Sequence, residues 1–142
     1  MKAAPTLNPH AALIYVMVVV SAADALMSDA ELHAIGDLVR SLPAFRGFSE
    51  DKIIPVAREC AAILQEHEGL DAVIGLVKET LTPQLRETAY AVALDEALAD
   101  APVHPEENRI RHRLRLELDI DRLTAAALEK AAVVRHARIP AA

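Results

Sequence analysis

Four carboxylates in this chain recur in a fixed frame. Asp24 and Glu31 stand seven residues apart, and so do Asp100 and Glu107. The first pair lies in Ala23-Asp24-Ala25-Leu26-Met27-Ser28-Asp29-Ala30-Glu31, the second in Ala99-Asp100-Ala101-Pro102-Val103-His104-Pro105-Glu106-Glu107. Each Asp closes one helix-like run and each Glu falls in the first turn of the next. Free carbonyls already make a helix C-terminus negative, so a carboxylate there is unfavourable by about 0.3 kcal/mol or more. A divalent cation reverses that sign. It would take Asp24 and Asp100, neighbouring carbonyls, and oxygens from Asp29, Glu31, Glu106 or Glu107. An all-oxygen set suits Ca²⁺ or Mg²⁺ better than Zn²⁺. If an approximate two-fold brings the turns together, Asp24, Glu31, Asp100 and Glu107 share one site. A plainer reading stands beside this one. Glu31 and Glu107 occupy the third helical position, where a carboxylate meets free N–H groups, and the two aspartates form Asx-turns. On that reading both turns only connect helices.

The elements around these turns are themselves repeated. Sliding Ile14–Val39 onto Tyr90–Arg115, an offset of 76, pairs Val16 with Val92, Ala23 with Ala99, Asp24 with Asp100, Ala25 with Ala101, Glu31 with Glu107 and Leu38 with Leu114. Apolar positions also coincide, such as Val18 with Leu94. The pattern predicts a duplicated helix–turn–helix.

Composition supports an all-α fold. The chain has 142 residues, enough for one core, and 53% are hydrophobic, which argues against disorder. Aromatics make up only 3% and there are 4 glycines, so the core is aliphatic and built from good helix formers. About seven helices are expected, in one domain over residues 9–138 after a loose tail at 1–8. The first helix, from Pro9 to about Ala25, is apolar on every side and should be the buried central one. Its β-branched run Ile14–Val20 suits a strand by propensity, but the helical composition of its repeat partner decides for helix. Ala11–Ala23 also has some look of a signal peptide. The single Lys2 and the role of this run in the repeat argue against secretion, and the run is too short to span a membrane. The cytoplasm is the expected location.

Ser28 and Glu31 form a capping box for the second helix, with Leu32, Ile35, Val39 and Leu42 inward and Pro43 as its stop. A loop over 43–49 leads to a third helix with Ile53, Val56, Cys60, Ile63 and Leu64 inward. Gly69 separates it from a fourth carrying Leu70, Val73, Ile74, Val77 and Leu81. Thr82-Pro83 opens the fifth, which runs to about Asp100, and His104-Pro105 the sixth. Asp119 or Asp121 caps the seventh, with Ile120, Leu123, Ala127, Ala131 and Val134 inward.

Other candidate sites are weaker. His33 and Asp29 share a helix face and can be read as half a zinc site, but the matching position in the second copy is Arg109; an exposed pair is the simpler account. Arg109, Arg111, Arg113 and Arg115 make the sixth helix basic. Anionic lipid or an acidic partner would suit it, yet alternating positions on a helix do not form one stripe, and a solvated face explains them. Nucleic acid is disfavoured by the net charge of −6 and the lack of aromatic platforms. Cys60, alone and among apolar residues, reads as an inert core thiol. The chain has no nucleophile elbow, phosphate-cradling glycine loop or supported Ser/His/Asp order, so a non-enzymatic role is expected.

At the two acidic turns the chain resembles the TerB-like tellurite-resistance family. That family shows Ala-Asp-Gly, a spacer with Ile or Val, a helix-capping residue, and Glu seven after the Asp, in two copies. The matching residues are Asp24, Met27, Ser28 and Glu31, then Asp100, Val103, His104 and Glu107. Ala25 and Ala101 stand where the family has Gly. The resemblance covers about residues 10–137. It implies an internally duplicated helical fold, a part in resistance to tellurite and related chemical stress, and acidic turn residues as cation ligands. It also implies stress-response partners, membrane-associated ones among them, which would bring the protein to the inner face of the membrane. A protein–protein interaction scaffold without metal is the alternative, and a homo-oligomer is open on either reading.

Overall fold

The computed structural model describes residues 7–21, 29–98 and 105–141. Among these, seven α-helices follow one another and there is no strand: α1 (Pro9–Ser21), α2 (Asp29–Ser41), α3 (Ile53–Leu64), α4 (Gly69–Thr80), α5 (Pro83–Ala97), α6 (Pro105–Glu117) and α7 (Arg122–Arg135). The expected all-α class and helix count hold.

Asn8 starts α1. Its Oδ1 accepts from the Ala11 N–H at 2.8 Å, with Pro9 at the first helical position. Every residue from Ala11 to Ser21 is buried. The helix packs against α2, α3, α4, α5 and α6, so it is the central one. Burial on all sides outweighs the strand preference of Ile14–Val20, because helix stability in a protein comes mainly from packing. At its N-terminal end, His10 stacks on Phe45 with ring centroids 5.9 Å apart, and Phe45 meets Phe48 edge-on at 6.0 Å. These few aromatics pin α1 to the α2–α3 connection, where Pro43–Phe45 forms a 3₁₀ turn instead of plain loop.

α3 buries Ile53, Val56, Ala57 and Cys60, while Ile63 and Leu64 are only half-buried. The Cys60 thiol is fully buried, with Sγ 3.7 Å from the Tyr15 carbonyl, and burial pushes its pKa up to about 12. Since the thiolate is the reactive form, Cys60 should resist alkylation at pH 8 in the folded protein and react promptly once it is unfolded. Quantifying thiols with and without denaturant checks this.

Thr82 caps α5 as expected, its hydroxyl accepting from the Leu85 N–H at 3.2 Å. Asp121, not Asp119, caps α7. Its carboxylate accepts from the Thr124 N–H at 2.8 Å and from the Thr124 hydroxyl at 2.9 Å. The backbone bond, then the hydroxyl bond, hold the Asp121 pKa below its ordinary value. Asp119 instead takes a left-handed φ of 58° and pairs with Lys78.

The inward face of α7 differs from expectation. Ile120 is buried but precedes the helix, and Leu123 and Val134 are 81% and 60% exposed. Ala127 and Ala131 are exposed as well. The buried residues are Ala125 and Ala132. Polar anchors set this rotation. Glu129 accepts from the Tyr90 hydroxyl of α5 at 2.7 Å, and Arg135 and His136 reach Asp95 of α5 at 2.6 and 3.1 Å. Residues 125, 129, 132 and 136 share one helical face. Two small alanines on that face let α7 lie close to α5, and the apolar residues at 123 and 134 turn outward as a result.

Candidate site at the acidic end of the bundle

α1 and α5 run side by side, and their C-terminal ends are joined by a buried polar contact. The Ser21 hydroxyl on the last residue of α1 lies 2.8 Å from Glu96 Oε1, one residue before the end of α5. It lies equally close to the Met17 carbonyl, so one donor is shared between two acceptors. Ser21 and Glu96 are each 2% exposed. Burying a carboxylate costs several kcal/mol unless charge or hydrogen bonds compensate it, roughly as for any desolvated ion. A Glu in the last turn of a core helix therefore needs partners, and the Ser21 hydroxyl is one of them.

The first turn of α2 comes to the same end. Ala30 lines one cavity of about 360 Å³ together with Asp95, which adjoins Glu96 in sequence. Glu31 is 8% exposed, so it faces inward in place of an apolar residue. The ends of α1 and α5 and the start of α2 thus meet, with two buried carboxylates among them. Asp95 is committed elsewhere, to Arg135 and His136.

Of the four residues expected as cation ligands, Glu31 is placed at this end. Asp24 and Asp100 lie outside the described residues, as do the side chain of Glu107 and the Ser28 half of the capping box. Among the described residues, no three His, Cys, Asp or Glu side chains group closely enough to hold a metal ion. His33 does not join Asp29. It faces Asp37 at 3.5 Å, and both are exposed, so His33 forms its surface pair with Asp37 and not with the expected Asp29.

Glu96 was missed by sequence reasoning, and a signal for it existed. At the repeat offset of 76 it falls opposite Val20, which is fully buried. An acid that this sequence offset aligns with a core valine marks charge in the register of the core.

The α6 arginines separate as the alternating spacing requires. Arg113 turns toward Asp71 of α4 and Glu117, while Arg111 and Arg115 face α7. Among the described residues, no helix is long and apolar enough to cross a membrane.

No curated protein and no solved structure matches the chain. A family model described as tellurite resistance protein TerB matches residues 10–130, from the second residue of α1 well into α7. The chain belongs to the TerB tellurite-resistance family.

Proposed function

We propose that this TerB-family protein serves in tellurite resistance or a related chemical-stress response without catalysis. On this reading it binds one divalent cation, Ca²⁺ or Mg²⁺, through Asp24, Glu31, Asp100 and Glu107. The observation that carries the reading is the Ser21–Glu96 contact. It ties together the stems of both acidic turns, since Asp24 follows Ser21 by three residues and Asp100 follows Glu96 by four. Spans that short reach at most about 10–14 Å even when fully extended. Glu31, buried beside the same end, supplies a hard oxygen of the kind these ions prefer. The TerB family match supports the stress-response role.

Calorimetric titration of chelator-treated protein with Ca²⁺, Mg²⁺ and Zn²⁺ tests it. Saturable heat is expected with Ca²⁺ or Mg²⁺ and none in the double variant Asp24→Asn, Asp100→Asn. Ion present at about 100 times its dissociation constant should stabilise the fold by about 2.7 kcal/mol, and the double variant should lose that gain. Absence of heat with all three ions would leave the plain helix-connecting role for the turns.

One observation favours a second reading, an interaction scaffold without metal. The outer face of α7 and the segment after it expose Leu123, Val133, Val134 and Ile139 at 81%, 57%, 60% and 95%. Apolar side chains gathered on one exposed element suit a partner protein.

A further inference from the structure

Between α6 and α7 lies a cleft of about 260 Å³ floored by Tyr90 of α5. Arg111 and Arg115, one helical turn apart on α6, face it from one side, and Arg122 at the first position of α7 faces it from the other. Ala125 and Ala126 leave the α7 wall low, which makes the room the three long side chains surround. We propose that this cleft binds a soluble, multiply charged phosphate, free or carried on a small molecule.

Charge balance selects the ligand. Among the described residues the three guanidiniums share the cleft with one carboxylate, Glu129, leaving an excess of two positive charges in a chain whose net charge is −6. Glu129 accepts from the Tyr90 hydroxyl at 2.7 Å, and among the described residues no arginine pairs with it. Arg115 donates to the Ile120 carbonyl at 3.2 Å, and among the described residues Arg111 and Arg122 have no acceptor. Arg111 and Arg115 are half-buried, so their field is less screened than that of surface arginines. A dianion neutralises this excess, whereas a single carboxylate leaves half of it. Guanidinium forks match phosphate oxygens in pairs, which favours phosphate over chloride at equal charge density.

The test titrates inorganic phosphate and pyrophosphate into the full chain at constant ionic strength, following amide shifts by NMR. Saturable shifts of α6 and α7 amides around the cleft are expected, with a dissociation constant below about 1 mM for pyrophosphate. Arg111→Gln with Arg122→Gln should weaken binding by about tenfold or more. This pair spares Arg115, whose backbone bond holds the α6–α7 turn. Arg109→Gln, exposed on the same helix and outside the cleft, should bind as the parent does; unchanged dispersion of the amide spectrum shows that each variant is folded. Arg111→Lys keeps the charge without the fork and should fall between. Shifts that never saturate, or equal weakening by Arg109→Gln and the cleft pair, would overturn the proposal. So would binding to phosphatidic acid vesicles without binding to either free anion.

Discussion

Ile14→Ala should cost the fold about 4 kcal/mol, a large share of the roughly 5–15 kcal/mol that holds a domain folded. Ile14 is fully buried in the middle of α1, and α1 is the helix that five others pack against. Truncation removes the side chain's transfer energy and leaves a hole that neighbours on several helices would all have to move to fill. Alanine is a good helix former, so the loss is one of packing and not of helix propensity. The outward face of α7 supplies the contrast. Leu123→Ala, at a position 81% exposed, should change stability by no more than about 0.5 kcal/mol. Urea unfolding of the two variants reads both values. A large loss for Leu123→Ala would mean that α7 is rotated as its apolar spacing alone suggests.

Gly69→Ala should be nearly as damaging, at about 2–3 kcal/mol or more. Gly69 opens α4 immediately after Glu68, which turns the chain with a left-handed φ of 56°. A Cβ at position 69 would lie 2.1 Å from the Ile63 carbonyl oxygen and 2.9 Å from the Leu64 Cα. Both obstacles are backbone of the preceding helix, so no side chain can swing aside. The α3–α4 turn would have to open, and with it the packing of both helices against α1. Gly75→Ala is the matched control, since it lies on α4 with open space around it and should be neutral or slightly stabilising. Thermal unfolding of the pair measures the difference; equal melting temperatures would contradict the close approach of α3 and α4.

Much of this architecture was legible in the sequence because periodicity and punctuation agreed. Pro9, Pro43, Gly69 and Thr82-Pro83 mark boundaries that the helices respect, and the unbroken apolar run of α1 announced a central helix. Where the reading failed, the deciding forces were long-range. α7 has apolar residues on more than one face, so spacing could not choose among them. The choice fell to Tyr90–Glu129 and to Asp95 with Arg135 and His136, contacts spanning about forty residues of sequence. Ile63 and Leu64 end α3 half-buried at the edge of the core, which periodicity does not reveal.

The candidate site was legible in part for a similar reason. A recurring Asp and Glu at fixed spacing is visible in one dimension. The meeting of the two stems is not, because it depends on Ser21 and Glu96 touching although they stand 75 positions apart. Glu96 was the only written trace of that contact, as an acid in the register of a buried valine.

Whether both turns serve one ion is most directly read by paramagnetic relaxation. Mn²⁺, a hard oxygen-seeking cation, is added at substoichiometric levels to ¹⁵N-labelled protein and amide broadening is mapped. A shared site predicts that amides around Glu31, Glu107, Ser21 and Glu96 broaden together at the lowest Mn²⁺, and that Ca²⁺ or Mg²⁺ restores them. Broadening confined to one turn, or concentrated instead around surface pairs such as His33 and Asp37, would contradict a common centre.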